Sequence, residues 1–309
     1  MSESFNNLCI YYLNELKVIN HYDFLIHSSN LSAKIRNTIK NFKNNSENAV
    51  FKNEQDLTLF INTYLDYRIK VDEALNSILL LDKYDFENVQ VNLDIMINEF
   101  RKYKNKTSIL NKNDAYFASP TKYESTILEE FMGLFLYPLT QIYKDDKYKC
   151  GPVKAYCEMN MKGNEIEIKV KDQDFAIYQD IPVAEKVIHK PLISIECKTY
   201  IDKTMYEGSV STAKRIRQGN PESFFFVVAE ESDLSSNNDC EDIDNIFFLR
   251  KSKRKKGKSK TDKKPICNDV FHDIYQECFY IISLKSKETD IDHKVTVDGR
   301  MKPCNYMRY

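Results

Sequence analysis

The character of this 309-residue chain changes across a connector, Thr107–Ala118, from helical periods alone to a mixture of helix and strand, and that change limits what the chain can fold into. Upstream, apolar residues recur in three- and four-residue steps, the signature of helices with one buried face. Asn30 stands where a helix cap belongs, and Leu31, Ile35, Ile39 and Phe42 follow at offsets 0, 4, 8 and 11. After the polar break Asn44–Asn48, a long helix is expected from Glu54 to about Leu81, with Leu57, Phe60, Ile61, Tyr64, Ala74, Leu75 and Ile78 inward. A third is expected from Glu87 to Lys104 on Leu93, Met96, Ile97 and Phe100. Downstream, Ser119-Pro120 opens an apolar helix that Pro138 should stop near Tyr137. Strand-like runs then follow at Val153–Met159, Glu165–Val170 continuing into Asp174–Tyr178, Leu192–Lys198, Ser223–Ala229 and Ile246–Leu249. Lys162-Gly163-Asn164 reads as a hairpin turn, and Glu207–Gln218 as a helix closed by Gly219-Asn220-Pro221. The expected architecture is a helical region over 1–115 and a mixed α/β domain over 116–309, ordered helix, three strands, helix, strand.

Composition excludes several classes. At 42% hydrophobic and 12% aromatic the chain is not a disordered one. No apolar run nears the ~20 residues of a membrane helix, and no basic region precedes the apolar residues of the N-terminus, so neither a membrane span nor a signal peptide is expected. The eight cysteines (9, 150, 157, 197, 240, 267, 278 and 304) form no C-x-x-C pair, and with five scattered histidines they make no zinc spacing. Reduced thiols in a cytoplasmic protein are the expectation. A net charge of −1 says nothing about an anionic partner, so any such signal must be local.

The local signal lies in Ile193-Ser194-Ile195-Glu196-Cys197-Lys198. In a strand Ile193, Ile195 and Cys197 face one side, and Ser194, Glu196 and Lys198 the other. Upstream, Phe175 and Ile177 point inward while Asp172 and Asp174 point outward. If the two strands pair, Asp174, Glu196 and Lys198 meet on one patch. Two carboxylates and a backbone carbonyl, that of Cys197, suit Mg²⁺, a hard ion that keeps several waters. Such an ion activates water and stabilises charge on a phosphate. Lys198 can orient or help deprotonate the attacking water and neutralise the developing charge. An E-x-K triplet alone is usually a surface ion pair of small worth. The preceding aspartate strand, the greasy opposite face and the following helix and buried strand set this one apart.

Asp174 and, twenty-two residues on, Glu196-x-Lys198 within this element order resemble the PD-(D/E)xK nuclease superfamily, with Gln173 at the motif's proline. The stretches VKDQDFAIYQD, ISIECKTYIDKTMYEGS and TAKRIRQGNP are similar to type II restriction endonucleases of the heterodimeric Bpu-ten-I type, over about residues 119–230. The resemblance implies a Mg²⁺-dependent enzyme that cuts double-stranded DNA at a short sequence. Asp174 and Glu196 would hold the metal and Lys198 would be catalytic. It further implies a second nuclease subunit, identical or related, and a methyltransferase protecting host DNA. A glutamate of the first core helix often joins such sites. Glu124, Glu129 and Glu130 are available, and Glu130 is the one placed to be partly buried. Two rival readings remain: a nuclease of DNA repair or recombination, and a DNA-binding subunit whose own site is idle.

The DNA grip is harder to place. Arg250–Lys264 holds ten Lys/Arg and one acid, Asp262, in fifteen positions. It reads equally as a solvated loop or as a phosphate-gripping one, with Lys253, Arg254, Lys255, Lys256 and Lys258 as contacts. Lys214 and Arg217, with Arg215 and the basic run Arg101–Lys106, are further candidates. His189 reads as an ordinary loop residue, Cys197 as packing, and Phe224–Phe226 as a buried strand.

Overall fold

The computed structural model describes residues 3–43, 51, 53–81, 86–113, 120–141, 148–162, 165–234, 242–254 and 263–286. They fall into two compact units, Met1–Phe135 and Leu136–Tyr309. No helix among the described residues is long and apolar enough to cross a membrane.

The first unit contains α1 (Glu3–Val18), α2 (Ile26–Lys43), α3 (Glu54–Leu79), α4 (Phe86–Asn113) and most of α5 (Pro120–Gln141). Asn53 caps α3, its side chain accepting the Asp56 N–H at 2.8 Å, and Glu54 and Asp56 favour the positive end of the helix dipole. All seven inward residues expected on α3 are buried, as are the four expected on α4. The cap expected at Asn30 is not one. α2 begins a turn earlier, at Ile26, because the buried polar residues His27 and Ser28 find partners inside the unit. Leu31 and Ile35 are buried as expected, but Ile39 is only half-buried. Thr38 fills the face instead, donating to the Lys34 carbonyl. The side chain of Phe42 lies outside the described residues.

Pro138 does not end α5, which runs on to Gln141. Within one turn of a helix end a proline removes a single ladder bond, and buried Leu136 and Leu139 hold the last turn in place. The units part at Phe135, inside this helix, rather than in the expected connector. Phe131 stacks on Phe100 with ring centres 4.2 Å apart. Gly133 lies so close to Phe24 that a Cβ would come within 2.5 Å of its ring. Those contacts tie the helix to the first unit.

The second unit is built on a five-stranded sheet, in the order β1 (Lys149–Lys162), β2 (Glu165–Val183), β3 (Lys186–Lys198), β4 (Phe224–Ala229), β5 (Asn245–Phe248). The first three strands form an antiparallel meander. β4 and β5 add in parallel. The β1–β2 hairpin is as expected; Gly163 and Asn164 at its turn lie outside the described residues. β2 is one continuous strand shared by two neighbours, and Ala155 of β1 also pairs with His189 of β3, so the meander curls. The crossover from β3 to β4 is α6 (Lys203–Gly219), capped by Asp202 accepting the Met205 N–H at 2.8 Å. It starts a turn before the expected Glu207 because of that cap. Its buried face packs with Ala155, Cys157, Phe225, Val227 and Ala229. A helix the sequence reading left out, α7 (Asn268–Ser286), lies beside β5, with Asn245 donating to Glu277 at 3.2 Å.

Candidate active site

The expected alternation holds on β3, and the register explains what it positions. Ile193, Ile195 and Cys197 are buried. In-register partners point the same way, so Glu196 and Lys198 share a face with Val227 and Ala229, the face that α6 covers. Ser194, on that face too, is fully buried, whereas Glu196 and Lys198 are 20% and 26% exposed. The sheet therefore opens at the C-terminal end of β3 and is closed behind it. On the other side, Phe175 pairs with Ile195 and Ala176 with Ser194; one step further puts Asp174 opposite Glu196.

The three charged groups meet there. Lys198 Nζ lies 2.8 Å from Glu196 Oε1 and 3.9 Å from Asp174 Oδ2. The same Asp174 oxygen accepts the Cys197 N–H at 3.0 Å. A residue's N–H and C=O leave an extended strand on the same side, so the Cys197 carbonyl is directed toward β2, where Asp174 stands. Glu196 Oε2 is buried without a hydrogen-bond partner, a costly condition for a carboxylate unless something else pairs with it. Burial raises the Asp174 carboxyl above the usual aspartate range, against the pull of Lys198 and the Cys197 N–H. Burial alone would lower the Lys198 ammonium, but Glu196 and Asp174 outweigh it and hold the lysine protonated more firmly than a free one. Asp172, on the same face, is exposed. Gln173, at the motif's proline, is buried and donates to the Asp172 carbonyl at 2.7 Å. Cys197 packs in the core, as expected. His189 is not a loop residue: it lies in β3, bonded to Asp180 at 2.7 Å.

Among the described residues no three His, Cys, Asp or Glu side chains gather into a metal cluster. Glu130 is committed elsewhere. Its Oε1 accepts the Tyr64 hydroxyl at 2.6 Å and lies 3.8 Å from Arg68; its Oε2 accepts the Ser28 N–H at 2.9 Å. Arg68 and Glu130 are both buried, and Arg68 also grips Asp72 at 2.9 and 3.1 Å. A carboxylate so matched is a structural counter-ion, and the metal role expected of it is withdrawn. Glu129 is half-buried on the same helix; the side chain of Glu124 lies outside the described residues.

The expected DNA-contacting cations divide. Arg217 is paired with Asp244 at 2.6 Å and Lys214 with Asp242 at 3.7 Å. Asp244 also accepts the Phe225 N–H, at the end of β4 opposite to Ala229 and Lys198, so these two cations sit far along the sheet from the carboxylates. Lys104 is buried over the Phe100 ring, and Lys102 pairs with Glu99. Arg250 is buried too, its guanidinium 2.9 Å from fully buried Glu230. In the sequence the one signal of this pair is an acid directly after an apolar strand. Lys253 and Arg254 are exposed. Lys255, Lys256 and Lys258 lie outside the described residues.

A sequence profile described as the Bpu10I restriction endonuclease matches residues 121–278, just over half of the chain. No curated protein matches. Among solved structures the chain is similar to that described as the native BbvCI A2B2 tetramer, at 20% identity and a TM-score of 0.60, over 86% of this chain and 97% of that one. At that identity the likeness shows the shared fold alone. The profile covers α5, the whole sheet, α6 and most of α7, with Asp174, Glu196 and Lys198 inside it, and on that ground the chain belongs to the Bpu10I restriction endonuclease family.

Proposed function

We propose that this restriction endonuclease is a Mg²⁺-dependent enzyme of the PD-(D/E)xK kind that hydrolyses phosphodiester bonds of double-stranded DNA at a specific sequence. The observation that carries the reading is the orphaned Glu196 Oε2, buried beside Asp174 and the β2-directed Cys197 carbonyl. Two carboxylates and a carbonyl fit a hard divalent ion, which would complete its shell with waters and a phosphate oxygen. Asp174, Glu196 and the Cys197 carbonyl would hold it. When bound, the ion supplies charge to the attacked phosphate and acidity to a water.

The chain's own groups do the rest. Lys198 carries a positive charge a hydrogen bond from Glu196, which keeps its Nζ at the rim of the site. Held as an ammonium, it serves as a donor that orients the attacking water and offsets charge growing on the phosphate; accepting the water's proton does not suit it. In the reaction a P–O bond forms to the water oxygen, which gives up its proton to solvent, the ester P–O bond breaks, and the departing oxygen takes a proton from solvent. The buried face behind Glu196 fixes both carboxylates against reorganisation. The DNA, a second nuclease subunit and a methyltransferase partner belong to the same reading, as does action in the cytoplasm.

The test is incubation of the purified chain with a sequenced plasmid and Mg²⁺. Breaks at one recurring sequence are expected, lost on chelation with EDTA. Glu196→Gln should abolish them while binding of the plasmid persists. Cleavage unaffected by that substitution, or branch-specific products in place of recurring breaks, would overturn the reading.

A further inference from the structure

Past Lys198 the chain runs through Thr199 and Tyr200 to Ile201, which bridges Ser232, which in turn bridges Lys253. The Ile201 N–H donates to Glu231, the Asp233 N–H to Ile201, and the Arg254 N–H to Ser232 at 2.7 Å. Three short segments thus extend the parallel order of β3, β4 and β5 beyond the catalytic carboxylates. Arg254 ends the third of them, and its guanidinium lies 3.7 Å from the centre of the Tyr200 ring. Tyr200 is two residues from Lys198, so their α-carbons are at most about 7 Å apart.

Arg254 differs from the other described arginines of this unit that hold close ion pairs. Arg217 and Arg250 meet carboxylates at 2.6 and 2.9 Å. Arg254 stands 3.8 Å from Asp233, beyond hydrogen-bond reach, and its side chain is 40% exposed. Among the described residues none accepts a hydrogen bond from its side-chain N–H groups. The ring occupies one face of the guanidinium and fixes its plane. What remains is the edge, a fork of donors matched to two oxygens of a phosphate.

We propose that Arg254, held flat on Tyr200, grips a phosphate of the DNA strand flanking the bond to be cut and so seats that strand against Asp174, Glu196 and Lys198. This rests on the nuclease reading and gives that site its backbone anchor. A phosphate contact carries no sequence information, so its loss weakens every duplex alike.

The experiment uses the full chain, fluorescein-labelled duplexes of several unrelated sequences and Ca²⁺ in place of Mg²⁺, read by anisotropy across a salt series. Arg254→Gln should weaken binding roughly tenfold and reduce the slope of log affinity against log salt by about one. Arg254→Lys, which keeps the charge and loses the fork, should fall between. Tyr200→Phe keeps the stack and should bind as the parent does, while Tyr200→Leu should lose several-fold. Circular dichroism confirms folding, and the two conservative variants decide the matter if Arg254→Gln fails it. Parental affinity in Arg254→Gln and Arg254→Lys, or a loss confined to one duplex sequence, overturns the proposal. Glu196→Gln cutting at the parental rate would instead overturn the nuclease reading, whatever Arg254 does.

Discussion

Lys198 offers a way to separate holding an ion from using it. Its ammonium neutralises Glu196 at 2.8 Å and Asp174 at 3.9 Å. Lys198→Met removes the donor and leaves both carboxylates more negative. Cleavage should fall on the order of 10²–10³-fold, as when one stabilising donor is removed. The Mg²⁺ concentration for half-maximal rate should stay put or drop, because a cation now meets more negative charge. A rise on that substitution would place Lys198 among the groups that hold the ion. His27 makes a different forecast. It is buried, bonded to the Tyr103 hydroxyl at 2.7 Å, and burial lowers it from 6.5 to about 3. The folded state thus refuses a proton that the unfolded chain accepts. Its contribution is whole above pH 6.5 and is lost as pH falls toward 3, by up to about 1.4 kcal/mol per pH unit. His27→Gln should flatten the fall of the urea midpoint between pH 6.5 and 5; an equally steep fall would assign it to other groups.

At the scale of elements, α5 is held to α2 and α3 by Glu130, Tyr64, Arg68 and Ser28. Burial raises the Glu130 carboxyl, with Arg68 and its hydrogen bonds opposing. Glu130→Ala leaves buried Arg68 with Asp72 and the neutral Tyr64 hydroxyl, and removing one partner of a buried pair costs about 3–5 kcal/mol. Denaturant unfolding should show that loss, with the Mg²⁺ requirement of the residual folded enzyme unchanged. An increased Mg²⁺ requirement would return Glu130 to the metal set. The burial of Glu130 was legible from Ile127 and Leu134 on its face, but a helical period gives a face and not the neighbour that covers it. The same limit explains why α1, which precedes the first expected helix at Asn30, and α7 were not legible. Phe5, Cys9, Tyr12 and Leu16 carry a helical period, yet exposed Ile10 and Tyr11 blur it. On α7, half-buried Phe279 and Tyr280 broaden the apolar stripe in the same way. The strands were plainer, because β-alternation at Phe175–Ile177 and Ile193–Cys197 fixes which side chains emerge together. Pairing then needed only that β2 and β3 be neighbours, as a short connection favours. Arg254 on Tyr200 was not legible at all: two successive bridges, Ile201 to Ser232 and Ser232 to Lys253, bring together residues more than fifty apart.

At the scale of the whole molecule, the proposed mechanism has one set of Asp174, Glu196 and Lys198 hydrolyse one strand, so a double-strand break calls for two sets. If the second set belongs to a related subunit, this chain alone should nick supercoiled plasmid to open circles and stop there. If it belongs to a second copy, linear plasmid should appear directly, with a rate that rises faster than linearly with protein concentration. The idle-site alternative makes the opposite forecast: no nick from the chain alone, and full cleavage by a Glu196→Gln chain once its companion is added. Glu196 and Asp174 both lie within 4 Å of Lys198 Nζ, and an orphaned buried carboxylate oxygen is costly to keep unless it is used. Strand-specific end labelling of a duplex containing the recurring site decides among the three. With a companion subunit present, Glu196→Gln in this chain should spare one labelled strand and leave the other cut at its parental rate.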